Sequence, residues 1–304
     1  MSYENRPSFA NGVQVYWDAT SLELFQTCPR KYQLQMLESL RMANKSVHLV
    51  FGGIYASSLE LFYNLRADGQ SIEEALHTVV HAALRASWKD GKPLDFDHSA
   101  KTRFNLIRSI VWYIDQFAEE SVSGITTYHL ASGKAAVELS FSLEMTDSII
   151  WCGHIDRVVE YAGDLWWMDQ KTTGSTISPR FFDQFKPHNQ FYGYTWAGQT
   201  ILGKPMRGGI IDGAQIAVGF TRFERSPITV TQDQLSEWFD NTLWTIEQAQ
   251  QATREHRFPM NLASCGNYGG CPYRQLCARS PSIRNKFIEG DYVHEQPWEP
   301  AVPR

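Results

Sequence analysis

The chain has 304 residues and a formal net charge of −5, a length that allows one large domain or two of ordinary size. With 43% hydrophobic and 20% charged residues it is not a disordered chain, and it has no run of about 18 apolar residues, so no membrane span is expected. The acidic balance argues against a broad nucleic-acid footprint, which needs clustered Lys and Arg. Residues 257–288 are the exception: they hold Arg257, Arg274, Arg279, Arg284 and Lys286 and no acid. The opening MSYENRPSFANG lacks the charged-then-apolar pattern of a signal peptide, so a cytoplasmic location is expected.

Residues 1–18 show no clear period and read as strand or loop. Thr20-Ser21-Leu22-Glu23 reads as a capping box opening a helix, and Pro29 as the start of a second helical piece. A helix is expected in the latter half of Phe51–Glu60, running through Phe62. Ser71-Ile72-Glu73-Glu74 is another capping box, before an apolar stripe of Ala75, Leu76, Val79, Val80, Ala83 and Leu84. Residues 90–99 read as a loop. A helix at about 100–120 is expected to turn Phe104, Ile107, Ile110, Val111, Ile114 and Phe117 inward.

Sheet signals follow. Residues 136–145 alternate, with Val137, Leu139, Phe141 and Leu143 on one face and Glu138, Ser140, Ser142 and Glu144 on the other, a half-buried strand. Residues 150–173 read as two strands joined at Ala162-Gly163-Asp164. A helix is expected over Pro187–Thr200, a strand at Gln215–Phe220, and a long helix from Thr231 to about Thr253 that buries Leu235, Trp238, Phe239, Leu243 and Ile246. Residues 289–304 read as an extended or disordered tail.

The hairpin carries the chemistry. Side chains alternate along a strand, so Asp169 and Lys171 share a face about 7 Å apart while Gln170 points away. Pairing the hairpin brings Asp156 beside Asp169. Two carboxylates at that spacing suit Mg²⁺ or Mn²⁺, which take one or two carboxylates plus substrate phosphate. An adjacent lysine can orient the attacking water. A lone Asp-x-Lys is usually a solvated strand face, so company matters. Gln190 and Tyr194 fall one turn apart on the next helix. Glu138 reads as a solvated residue able to approach the same place. Tyr268, Tyr273 and Arg274, or Phe220, Arg222 and Phe223, are aromatic–basic neighbours able to stack bases.

Cys265, Cys271 and Cys277 follow one another at a six-residue spacing, with Cys28 far upstream. In a cytoplasmic protein such cysteines point to metal thiolates. Four thiolates satisfy tetrahedral Zn²⁺ or a [4Fe–4S] cluster, and spacing does not choose. Cys152 reads as a small core residue.

Gly153-His154-Ile155-Asp156, Asp169-Gln170-Lys171-Thr172-Thr173 and Gln190-Phe191-Tyr192-Gly193-Tyr194, in that order, resemble the PD-(D/E)xK nuclease superfamily in its RecB/AddB/Cas4-like branch. The resemblance implies an α/β, restriction-endonuclease-like core: a central mixed β-sheet flanked by helices, a helical N-terminal portion and a cysteine-rich C-terminal cluster segment. It implies one nuclease domain over residues 1–289, with a helical portion at about 55–125, a core at about 135–223, and residues 257–288 joined to Cys28, before a flexible tail at 290–304. It assigns metal to Asp156, Asp169 and the backbone carbonyl of Gln170, catalysis to these acids with Lys171, Gln190 and Tyr194, and a [4Fe–4S] cluster to Cys28, Cys265, Cys271 and Cys277, with zinc as the alternative.

The implied activity is Mg²⁺- or Mn²⁺-dependent DNA hydrolysis, as an exonuclease on single strands or free ends, with recombination or repair proteins as partners. Two other readings stay open: a catalytically impaired DNA-binding module, or a Cas4-like end-processing subunit of a larger complex. The family's Phe-Gly-x-x-x-His-x-x-Leu-Glu frame matches at Phe51–Glu60, but Ala56 stands in the histidine's place, and His48 lies outside that frame. Either the site works with fewer ligands, or the protein binds DNA without cutting it, or the alanine was introduced to trap uncut DNA. The persistence of Asp156, Asp169 and Lys171 favours the first and third, because adjacent buried carboxylates repel without a cation.

Overall fold

A computed structural model describes residues 3–42, 46–89, 92–94, 98–267, 270–296 and 299–302. The chain forms two compact units, one of residues 46–139 with 154–232, the other of residues 1–45 with 140–153 and 233–304. Among the described residues no helix is long and apolar enough to cross a membrane.

The elements that position the site are helices α1 (Val47–Ala67), α2 (Ile72–Ala86), α3 (Arg103–Phe117) and α4 (Asn189–Leu202), and strands β1 (Ile125–Thr127), β2 (Val137–Thr146), β3 (Ile149–Tyr161), β4 (Asp164–Thr173), β5 (Met206–Ile216) and β6 (Thr221–Thr229). In the first unit the Ser71 capping box forms as expected: Ser71 Oγ accepts from the Glu74 amide at 3.2 Å, and Glu74 Oε2 accepts from the Ser71 amide at 2.9 Å. Such a cap stabilises the helix by about 1 kcal/mol. Helix α1 begins earlier than the sequence reading, at Val47.

Helix α3 turns Ile110 and Ile114 inward as expected, with Ile107 and Phe117 packed against the same cluster. Thr102 caps it, and Leu106, Ile110, Tyr113 and Ile114 form the buried stripe at i, i+4, i+7, i+8. Phe104, expected inward, is 74% exposed in the first turn, with the Arg108 guanidinium 5.9 Å from its ring. The stretch read as a loop at 90–99 contains part of a short hairpin, Trp88–Lys89 with Lys92–Pro93. Residues 90–91 and 95–97 of that expectation lie outside the described residues.

The sheet order is β6-β5-β4-β3, and β1 also pairs with β3. The β3–β4 hairpin turns through Ala162 (φ 52°) and Gly163 (φ 84°), pairing Tyr161 with Asp164. A two-residue loop with both residues at positive φ matches the twist of an antiparallel pair. Strand β5 runs parallel to β4 and antiparallel to β6, so the sheet is mixed, and α4 lies in the β4-to-β5 crossover.

The strand expected at Gln215–Phe220 lies earlier. Strand β5 ends at Ile216, and Val218 and Phe220 are exposed beyond it. Glycines disguise β5 as a loop. A Cβ at Gly209 would sit 2.0 Å from the Trp167 ring, and one at Gly208 (φ 141°) 2.0 Å from the Ile228 carbonyl oxygen. They are there for close approach, not for a turn.

Both faces of this sheet are covered. Trp167 stacks on Phe191 of α4 at 4.6 Å and donates from Nε1 to Thr195 Oγ1 at 2.7 Å. On the opposite face α1 meets β4 closely enough that a Cβ at Gly52 would lie 3.4 Å from Thr172 Oγ1. Phe51, Tyr55, Leu59, Val79, Ile110 and Tyr113 share one apolar cluster with Ala214 and Ile216 of β5.

In the second unit a helix spans Ala19–Thr27. Asp18, and not Thr20, is its cap: Asp18 Oδ1 accepts from the Ser21 amide at 2.8 Å, and the Asp18 amide donates to Ser21 Oγ at 3.2 Å. Pro29 opens the next helix, Pro29–Tyr32, as expected. The first 18 residues make short strands, of which Tyr16–Trp17 runs parallel to residues 150–151 of β3. The long helix is Gln232–Arg254, with Trp238 edge-on to Trp151 at 5.4 Å. The stretch read as a tail contributes a strand, Tyr292–His294, paired with Leu40–Met42. Cys152 is buried, 3.4 Å from Ser142 Oγ, and burial pushes its thiol up to about 11.

Candidate active site

The functional side chains gather where β3 and β4 part. The hairpin's backbone pairing runs from Tyr161–Asp164 to Arg157–Met168. One residue further the backbone bond is replaced by a side-chain one: Asp156 Oδ2 accepts from the Gln170 amide at 3.1 Å. That bond holds the Asp156 carboxyl against the strand bearing Asp169.

Asp169 and Lys171 share one face of β4, as alternation requires. The Lys171 ammonium lies 2.6 Å from Asp169 Oδ2, and Asp169 is only 1% exposed. Lys171 Nζ also donates to Gln190 Oε1 at 3.3 Å. The Gln190 amide nitrogen donates to Asp169 Oδ1 at 3.2 Å and to the Tyr194 hydroxyl at 2.8 Å. Gln190 thus reads Asp169, Lys171 and Tyr194 together, and each bond agrees with one orientation of its amide. Phe191, beside it on α4, places its ring centre 5.5 Å from Lys171 Nζ. All of the residues singled out around Asp-x-Lys, namely Asp156, Asp169, Lys171, Gln190 and Tyr194, come together.

The electrostatics are those of an acid pair without enough positive charge. Burial raises the Asp156 carboxyl above its ordinary range, the Asp169 charge raises it further, and Lys171 and the Gln170 amide oppose the rise. Burial raises Asp169 too, against the pull of Lys171. Tyr194 is raised well above an ordinary phenol by burial and then by Asp156 and Asp169, so it serves as a neutral hydrogen-bonding group. Burial, then Lys171, lowers His188 at the start of α4 to about 4.

Glu138 is placed differently from the solvated position expected. It is half-buried, and its backbone has φ 47°, a conformation L-residues other than Gly, Asn and Asp rarely adopt. Its charge adds to the upward push on Asp156 and Tyr194. Alternation in the sequence cannot show a left-handed residue at the start of a strand. Sequence reasoning also missed Asp212, which is buried on β5 in register with Gln170. Arg225 Nε donates to Asp212 Oδ1 at 3.2 Å, and the Tyr113 hydroxyl donates to Asp212 Oδ2. This pair anchors α3 to the sheet.

Among the described residues, no three of His, Cys, Asp and Glu form a group able to hold a metal ion. Asp156 and Asp169 offer two carboxylates, hard-oxygen donors of the kind that would fit Mg²⁺ or Mn²⁺ completed by water and phosphate. The upward push on both carboxyls, from burial first and only opposed in part by Lys171, fits a cation as well. Ala56 is half-buried on α1, one turn past Gly52 on the same face.

In the second unit Cys28 and Cys265 both contact Asn261, and among the described residues the cysteines form no group able to hold a metal ion. Cys28 Sγ accepts from the Asn261 amide at 3.3 Å, and Cys265 Sγ donates to the Asn261 carbonyl at 3.8 Å. Burial raises Cys277, with Cys271 and Cys28 adding to the rise. Tyr273, considered for base stacking, is buried with its hydroxyl on the Leu40 carbonyl at 2.6 Å, and Phe223 packs on Tyr113 and Phe117. Neither ring is free to stack. Tyr268 lies outside the described residues.

A mixed sheet with an acid pair and a lysine where two strands part, braced by Gln and Tyr from the crossover helix, has the form of an α/β nuclease core. The family model of the PD-(D/E)XK nuclease superfamily matches residues 16–278, and the chain belongs to that superfamily. A solved structure from Eubacterium rectale, provisionally assigned as an exonuclease, is 13% identical and covers 87% of this chain and 88% of its own, with a TM-score of 0.53; it shares the fold. A second, SSO0001, is 10% identical over 74% of this chain and 85% of its own with a TM-score of 0.28, too low to support an argument. No curated protein matches the chain.

Proposed function

We propose that the chain is a metal-dependent deoxyribonuclease that hydrolyses phosphodiester bonds, acting as an exonuclease on single strands or free ends in recombination or repair. The observation that carries this is the pairing of half-buried Asp156 with buried Asp169, with Lys171 at 2.6 Å from Asp169 Oδ2. Asp156, Asp169 and the Gln170 carbonyl would hold Mg²⁺ or Mn²⁺. When bound, such an ion polarises the phosphate and lowers the pKa of its water. Lys171, held by Asp169 and Gln190, orients that water and offsets charge on the phosphate. Gln190 and Tyr194 keep lysine and acid in register with the substrate.

The family's [4Fe–4S] cluster is proposed for Cys28, Cys265, Cys271 and Cys277, with zinc as the alternative. The contacts of Cys28 and Cys265 to Asn261 support this. A cluster there would tie together segments more than 200 residues apart in sequence, whose loop closure is otherwise entropically unfavourable.

Labelled single-stranded and duplex DNA with Mn²⁺ tests the activity on the protein as it stands, on Ala56→His and on Lys171→Ala. Cleavage gained with Ala56→His and lost with Lys171→Ala supports the proposal. Tight binding with no cleavage by any version supports the impaired DNA-binding module instead.

A further inference from the structure

His188 stands immediately ahead of α4, two residues before Gln190. It occupies the cap position, where Ser, Thr, Asp or Asn bonds a first-turn amide through its side chain. The imidazole makes no such bond, and it is the His188 carbonyl that accepts from the Phe191 and Tyr192 amides, at 3.2 and 3.1 Å. Helix capping therefore does not explain an imidazole here. The ring lies on Phe191 instead. Its centre is 4.6 Å from the Phe191 ring centre, with the planes 31° apart, and the Lys171 ammonium is 5.5 Å from that same centre. Phe191 is itself fixed, 1% exposed and stacked on Trp167 at 4.6 Å. One buried ring thus gathers the imidazole and the ammonium on the α4 side of the sheet, where Gln190 bonds Asp169 and Lys171. Burial first, and then Lys171, lowers His188 to about 4. The ring is neutral near pH 7, with one nitrogen donating and the other accepting.

The way into the site lies on this side. The Asp169 side chain is 2% exposed and the Lys171 side chain 28%, and His188 is half-buried. A phosphate that reaches the acid pair comes in by the lysine and meets the imidazole at the rim. We propose that His188 is a second phosphate contact of this site, its ring N–H donating to a non-bridging oxygen of the phosphodiester that Lys171 faces. This rests on the nuclease reading for its ligand. Lysine supplies the charge, and an uncharged donor beside it adds direction without like-charge repulsion between two cations. A donor aimed at such an oxygen also gains strength as charge develops there during attack.

Packing and hydrogen bonding make opposite predictions for two substitutions. His188→Phe keeps a flat ring on Phe191 and loses the N–H. His188→Gln loses the ring and keeps an N–H donor. Steady-state cleavage of a labelled single-stranded oligonucleotide with Mn²⁺ is compared for the full chain and both variants, with melting temperatures alongside. His188→Phe should hold its melting temperature and lose about tenfold to a hundredfold in kcat/KM, the share of one hydrogen bond to a charged group. His188→Gln should recover most of that loss. An active His188→Phe beside an impaired His188→Gln would make the imidazole a packing residue and overturn the proposal. Full activity in both variants, or equal loss in both, would overturn it too. Should the parent bind the oligonucleotide without cutting it, affinity in Mn²⁺ measured by fluorescence anisotropy carries the same comparison. Lys171→Ala separates the two claims: a parent that cuts beside a Lys171→Ala that does not upholds the nuclease reading, whatever His188→Phe does.

Discussion

Asp169 and Gln190, from a strand and the helix that follows it, are joined at 3.2 Å by a bond in which the amide nitrogen of Gln190 serves Asp169 while its oxygen serves Lys171. One side chain thus fixes an acid and a base relative to each other. Gln190→Ala should therefore lower kcat by about tenfold to a hundredfold, chiefly by freeing Lys171, with a smaller change in KM. Gln190→Glu, which cannot donate to Asp169 while ionised, should be at least as impaired. Steady-state cleavage of a labelled oligonucleotide checks both; equal activity in all three proteins would mean that Gln190 only shapes the helix.

Asp156→Asn should stabilise the metal-free protein, and more so at higher pH. The folded carboxyl is raised by burial and by Asp169. As pH climbs past about 3.9 the unfolded chain ionises first. The folded state then holds more protons, so stability falls as pH rises toward the raised folded value. Below the unfolded value neither state is ionised and no cost exists. Urea unfolding in chelator should show a gain at pH 8 larger than at pH 5 by about 1 kcal/mol or more. A loss at pH 8 would contradict the assigned direction.

Glu138→Gly and Glu138→Ala both remove the carboxyl near Asp156. Only alanine keeps the strain of φ 47°. The glycine variant should be the more stable by about 1 kcal/mol, the left-handed penalty of an L-residue. Thermal melts of the pair decide it.

Gly209→Ala would drive a Cβ to 2.0 Å from the Trp167 ring, which no rotamer of a stacked, hydrogen-bonded indole relieves. A loss of about 3 kcal/mol or failure to fold is expected, read by denaturant unfolding. A variant with unchanged stability would mean that β4 and β5 are more loosely packed than their contacts indicate.

How far the sequence carried the fold follows from which forces are local. The hairpin through Ala162-Gly163 and the Ser71 cap were legible because turn and cap chemistry is written within four residues. Asp169, Lys171, Gln190 and Tyr194 were legible because strand and helix periods fix which side chains share a face. The Phe104 error and the displaced β5 have another origin. Phe104 lies on the wrong side of a helix whose register is set by Thr102 and by distant partners, and Gly208 and Gly209 make room for Ile228 and Trp167, which no local pattern reveals. Asp212 with Arg225, and Glu138 near Asp156, are likewise juxtapositions made only by the folded sheet.

Cys28→Ser tests the proposed cluster. In anaerobically purified protein, iron content and absorbance near 400 nm should fall together with the melting temperature, since structural metal sites contribute folding energy directly. A variant that keeps all three would remove Cys28 from any ligand set.

The most direct measurement is a calorimetric titration of Mn²⁺ into the full chain beside Asp156→Asn and Asp169→Asn. One Mn²⁺ should bind the parent with release of protons, because the raised carboxyls must ionise to hold it, and each variant should lose that binding by at least tenfold. Equal Mn²⁺ binding in all three proteins, or none in the parent even with oligonucleotide present, would contradict the assignment of this acid pair as the metal site.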